Sequence, residues 1–229
     1  MDAVHGFLLE DLDIRGALVQ LGPSWAAIAA RRNYAAPVRD LLGELAAVTA
    51  LIGSNLKTPG RLSFQVQGHG PVSMLVMDCN EQLHLRGMAK SELAADAEAH
   101  VAGVADLLGD GRLVLTLQPQ SAQTPYQSVV PLVGSTLATI FEHYLAQSEQ
   151  QPARLWLAAT ADTACGLFLQ KLPGADLRDA DGWNRIETLA ATVRPEELAL
   201  PPEILLTRLF AEESVRLYPP RPAAWHCPR

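Results

Sequence analysis

The sequence predicts an α+β protein: a sheet core covered by one long packed helix, followed by a small all-helical linker region. Residues Leu62 to Lys90 read as a three-stranded meander, Val38 to Leu56 carry the clearest helical periodicity, and strand patterning lapses from Gly174 until Val215. In the meander, Leu62, Phe64 and Val66 alternate with Ser63, Gln65 and Gln67, the mark of a strand with one buried and one wet face. Gly68-His69-Gly70-Pro71 breaks that run. Val72 to Met77 is apolar almost throughout, as a strand covered on both faces is, and Asp78 to Glu81 supplies a second turn before Leu83 to Met88.

The remaining elements follow in chain order. Phe7 to Val19 reads as one strand, with Leu8, Ile14, Leu18 and Val19 toward the core. Pro23-Ser24 opens a helix over Trp25 to Arg32, with Ser24 as the cap whose hydroxyl accepts from an orphan amide. Pro37 suits the first turn of the next helix, where its missing N–H costs nothing. Val38, Leu41, Leu45, Val48 and Ile52 then recur at spacings of three and four. Leu42 and Ala46 widen that stripe while Arg39, Asp40 and Glu44 lie off it, so this helix should cover the meander; a heptad coiled coil is the weaker alternative.

Ser91 to Leu108 reads as a loop and a short helix. Gly109-Asp110-Gly111 is a turn, Leu113 to Leu117 a strand ended by Pro119, and Tyr126 to Pro131 another strand. Gly134-Ser135 begins a helix through Gln150, with Leu137, Ile140, Phe141, Tyr144 and Leu145 on its apolar face and Glu142, His143 and Gln147 on the other. Arg154 to Thr160 and Gly166 to Leu172 form a hairpin. From Gly174, GADLRDADG reads as a flexible charged connector. Short helices follow near Ile186 to Val193, after Pro195 and after Pro202, then a small strand at Val215 to Tyr218. Helices this short are marginal alone and must dock on something.

Composition narrows the function classes. At 229 residues, with 48% hydrophobic and 19% charged residues, the chain is ordinary for one folded domain plus an appendage. A net charge of −7 with scattered Lys and Arg works against nucleic-acid binding. No secretory leader or membrane span is read, because Asp2, His5, Glu10 and Asp11 interrupt the opening and Arg39, Asp40 and Glu44 interrupt the longest apolar segment, so a cytoplasmic location is expected. Cys79, Cys165 and Cys227 are odd in number and widely spaced, which suits a reducing compartment.

No catalytic set stands out. Gly68-His69-Gly70 lacks the third glycine and the helix of a dinucleotide fingerprint, since Ser73 falls where that glycine belongs. Cys165 with His143 as base would give a small cysteine-centred enzyme, but a buried structural cysteine is the better reading. His5, His69, His84, His100, His143 and His226 show no metal-ligand spacing, and Glu142-His143 reads as a solvated pair. Met74, Met77 and Met88 read as core filler.

Several ordered stretches carry a resemblance. Asp13-Ile14-Arg15-Gly16, Tyr34 to Lys57, the turn Gln67 to Pro71, Leu85-Arg86-Gly87, Leu108 to Leu117, Tyr126 to Leu132, and Phe141 to Leu157 with Ser148-Glu149-Gln150 together resemble the redox-regulated chaperonins of the heat-shock protein 33 type. The resemblance implies a holdase, not an enzyme, that works without ATP, binding unfolding client proteins under oxidative stress. It implies a chaperone core over residues 1–178, a metastable helical linker over 179–220, and over 221–229 the start of a zinc-binding redox domain truncated by the end of the chain. Cys227 stands where the first zinc ligand is expected, and Arg229 where its Cys-x-Cys partner would be. Zinc is the family's cofactor, and these 229 residues are expected to bind none. Without that clamp the linker is expected to open readily or to exchange between copies, giving a domain-swapped or readily dimerising molecule, a homodimer, whose client binding does not respond to peroxide.

Overall fold

The computed structural model describes residues 2–56, 59–96, 103–121 and 124–226. Four layers stack: a helical arm, a first sheet, a long helix, and a second sheet. The first sheet contains β1 (Ala3–Leu9), β2 (Ile14–Leu21), β8 (Ala153–Ala159), β9 (Ala164–Lys171) and β10 (Val215–Leu217), in the order β10-β1-β2-β9-β8, with β11 (Arg221–Pro222) also on β1. The second contains β3 (Gly60–Gly68), β4 (Val72–Cys79), β5 (His84–Ser91), β6 (Gly111–Pro119), β7 (Tyr126–Pro131) and β12 (Ala224–Trp225), in the order β12-β5-β4-β3-β6-β7. All pairings are antiparallel except β12 beside β5.

The expected single strand over Phe7 to Val19 is a hairpin. Its turn at Glu10 to Asp13 places Asp13 at a left-handed φ of 50°, and β1 pairs β2 from Leu9↔Ile14 to Ala3↔Gln20. The turn also shifts the register, so Phe7 and Leu9 are buried where Leu8 was expected to be. Gly16 is required in β2 because a methyl there would lie 2.1 Å from the Phe7 ring.

α1 (Pro23–Ala29) is not capped by Ser24. The Asp2 carboxylate accepts from the amides of Gly22 at 2.8 Å and Ser24 at 2.5 Å, and the Ser24 hydroxyl accepts from the Trp225 amide. α2 (Ala36–Ser54) starts with Pro37 in its first turn as expected. Its cover extends further than the meander, because both of its sides are buried: Leu51 abuts Gly166 of β9, and Gly53 abuts Cys79 of β4. Glu44, read as lying off the stripe, is half-buried.

β4 has one buried face instead of two. Val72, Leu75, Met77 and Cys79 point inward, and a register shift between Val72 and Met74 accommodates the change. After α3 (Val104–Leu108) and the β6–β7 hairpin, α4 (Leu137–Glu149) is capped by Thr136, whose hydroxyl accepts from the Thr139 amide in a capping box; Gly134-Ser135 lies outside the helix. The Phe64 and Phe141 rings meet edge to face at 4.7 Å, joining α4 to the second sheet.

Candidate binding surface beneath the helical arm

The first sheet is apolar on both faces. Val4, Ala17, Val19, Leu21, Ala164 and Phe168 face α2 in one cluster; Phe7, Leu9, Ile14, Leu18, Cys165, Leu167 and Leu169 point the other way. This alternation within β1, β2 and β9 gives nearly continuous apolar runs, as strands buried on two sides require.

The outer face is covered by the arm. α6 (Gly182–Ala190) places Trp183, Ile186 and Ala190 on it, the 3-10 turn Pro195–Ala199 adds Leu198, and α7 (Pro202–Leu209) adds Leu205, Leu206 and Leu209 beside Phe210. The Phe7 and Phe210 rings lie 6.2 Å apart. Each covering helix is nine residues or fewer, so the arm owes its order to this contact.

Polar ties hold the rim. The Gln20 side chain donates to the carbonyls of Leu198 and Leu200 at 2.9 and 2.6 Å. Arg154 of β8 pairs with Glu187 of α6 at 2.6 Å, Arg216 with Glu10 at 2.9 Å, and Arg185 with Glu213 at 2.8 Å and Asp179 at 3.0 Å. Glu197, almost wholly enclosed, accepts from the Arg194 amide and faces Arg194 and Arg208. That amide hydrogen bond chiefly holds its carboxyl below the ordinary range. The connector read as flexible is instead pinned: it contains α5 (Ala175–Arg178), tied by Lys171–Asp176 at 2.6 Å and Arg178–Asp13 at 3.2 Å. Partly exposed pairs of this kind are individually weak, on the order of 0.2–1 kcal/mol.

The candidate site residues separate. Cys165 is buried under the arm, bonded to Thr163 and Leu21, and burial pushes its thiol up; Cys79 lies in the other cluster, its thiol pushed up to about 12 by burial. Both are free thiols in apolar surroundings, the opposite of an activated nucleophile. His143 bonds Gln147 at 2.9 Å on α4, and among the described residues the groups acting on the Cys165 thiol are Thr163 and Leu21, not a histidine base. Glu142 is no solvated partner of His143: its carboxylate accepts from the Leu155 amide of β8 at 2.7 Å, and burial raises its pKa. His84 and His226 stack at 5.1 Å over a cavity of about 160 Å³ that also meets Asp78 and Cys79, yet no three His, Cys, Asp or Glu side chains could share a metal among the described residues. Cys227 lies outside the described residues. With Cys79 and Cys165 buried in separate clusters, the cysteines of this sequence do not fit a four-thiolate zinc site.

An apolar sheet face beneath a cover of short helices suits a protein that handles the exposed apolar surface of other polypeptides, a molecular chaperone, and the comparisons with known proteins place the chain in that class. The family model described as Hsp33 protein matches residues 2–229, and the chain belongs to that family. It is similar to the 33 kDa chaperonin of Methylobacillus flagellatus, 40% identical over 229 residues, covering 99% of this chain and 77% of the relative. It is also similar to the 33 kDa chaperonin of Nitrosococcus oceani, 42% identical over 227 residues, covering 99% and 76%. A crystal structure of the 33 kDa chaperonin of Thermotoga maritima shares the fold, with a TM-score of 0.80 at 21% identity over 98% of this chain and 80% of that one.

Proposed function

We propose that this chain is an ATP-independent holdase. Unfolding polypeptides, of the kind oxidative stress produces in the cytoplasm, bind the outer face of β1, β2 and β9 when the arm lifts. The observation that carries the reading is the cover itself: a wide apolar sheet face is buried only by short helices that depend on it for their order. No helix among the described residues is long and apolar enough to cross a membrane.

We further infer that the arm exchanges between copies. It packs on its own core here, and the same apolar contacts would form on a second core if the connector at 174–181 straightened, a low-cost route to a homodimer. The zinc switch of the family is not routed through Cys79 or Cys165, so client holding by these 229 residues should be insensitive to peroxide.

Light scattering of heat-unfolded citrate synthase tests the reading. Suppression should be equal with and without ATP, and Phe210→Ala, which loosens the cover, should strengthen it. Absent or ATP-dependent suppression would overturn the reading.

A further inference from the structure

The edges of the two sheets are treated differently. β10 is only three residues long. β5 is closed by β12, where the amides of Ala224 and His226 donate to Leu83 and Leu85, and by the Tyr34 hydroxyl, which accepts from Ala89. The outward edge of β8 is capped by the Glu142 carboxylate on the Leu155 amide. Among the described residues, β7 pairs only with β6.

Which groups β7 presents follows from its register. The Leu132 amide donates to the Gly111 carbonyl, and the pairing continues as Val130↔Leu113 and Ser128↔Leu115, so the even-numbered residues bond to β6. The amides and carbonyls of Gln127 and Val129 therefore point away from the sheet. Pro125 and Pro131 occupy the next outward positions and carry no N–H. The prolines frame an open edge of two donors, and Gln127, Val129 and Pro131 are all exposed, as is Tyr126. No Asp, Glu, Lys or Arg occurs from Leu113 to Phe141, so the edge lacks the charges that usually block strand addition.

We infer that β7 is a docking edge for an extended, unfolded segment of a client polypeptide, which adds as a short antiparallel strand through the backbone of Gln127 and Val129. This rests on the holdase reading and adds a second contact point, on the opposite sheet from the arm and open while the arm is closed. Backbone hydrogen bonds read no sequence, and an uncharged edge rejects neither sign of charge, which suits varied clients. A second folded copy is the poorer occupant. Two rungs between folded bodies bury only a small part of the roughly 1,200 Å² that specific complexes require, whereas a flexible chain can continue along the neighbouring surface.

The test uses reduced, carboxymethylated α-lactalbumin, a permanently unfolded probe, with amide exchange followed residue by residue in the full chain. Adding probe should slow exchange at Gln127 and Val129 while leaving Ser128, already bonded to β6, unchanged. Val129→Pro removes one outward donor at a position of the same parity as the natural prolines. It should weaken probe binding about twofold to thirteenfold, the effect of one backbone hydrogen bond. If the native chain binds probe but neither amide is protected, the edge inference fails while the holdase reading stands. If it binds no probe, the holdase reading fails first. Protection that appears without probe and rises with protein concentration would make the occupant a second copy and overturn the inference.

Discussion

Leu205→Ala should lift the arm without damaging the core beneath it. Leu205 is fully buried between α7 and the sheet, in the same cluster as Cys165. Truncating a buried leucine costs about 2–5 kcal/mol, and because Leu205 packs in the cluster that the arm shares with the sheet, that loss falls on the open–closed equilibrium of the arm. At about 1.4 kcal/mol per tenfold, the open fraction should rise at least about 30-fold. Cys165 reports it directly: its thiol is shielded while the arm is closed and returns to ordinary reactivity when it opens. In a Cys227→Ser background, labelling by a thiol reagent should accelerate by about that factor at Cys165 and stay unchanged at Cys79, which lies in the other cluster. Equal acceleration at both thiols would mean that the whole molecule loosens, and the argument for a separable cover would be wrong. No acceleration at either would mean that the arm does not open on its own.

Glu44→Gln should stabilise the protein near pH 7.5. Burial and the neighbouring Asp40 raise the Glu44 carboxyl from 4.5 to about 7, so the folded state penalises the charged form; stability is full below about pH 4.5 and falls as pH rises toward 7, and the gain, about 3 kcal/mol or 6–12 °C in Tm at pH 7.5, should shrink below about 1 kcal/mol at pH 5. A gain that does not vary with pH in thermal melts would refute the assignment. Glu142→Ala should leave the Leu155 amide unpaired on the edge of β8, costing about 1–3 kcal/mol by urea titration and raising self-association; unchanged stability would show that the carboxylate is no cap. Gly16→Ala should cost about 1–3 kcal/mol by the same titration because the new methyl meets the Phe7 ring; a neutral result would mean that the ring moves freely.

Much of the core was readable from local pattern, and the failures share one cause. The meander, the β8–β9 hairpin and the start of α2 are each written in local spacing and turn chemistry. What was misread depends on distant partners. Ser24 has the right chemistry for a cap, but Asp2, more than twenty residues away, takes that role and frees the hydroxyl for Trp225. The stripe on α2 was read as facing one sheet, although Gly43, Ala46, Ala47, Ala50 and Gly53, all buried, were the available sign that a second backbone approaches closely. The covered face was legible only in part. The arm helices show their apolar sides, but that they lie on the outer face of β1, β2 and β9 follows from a β1–β2 hairpin hidden by the acidic run Glu10 to Asp13. The role of Glu142 had no local signal, because its partner Leu155 belongs to the strand after the next turn.

The order in which the chain leaves the ribosome gives the cover a further consequence. β1 and β2 emerge first, β9 completes their sheet at Lys171, and Phe210, the last large side chain of the cover, follows about 40 residues later. At synthesis rates of roughly 5–20 residues per second, the outer face stays bare for about 2–8 s in each newborn molecule. β10 pairs with β1 from the far end of the chain, so this closure is also a contact of very large sequence separation and among the slowest to form. Every copy therefore begins life with its apolar face uncovered, and polysomes crowded with such nascent chains are where mutual capture should first be sought.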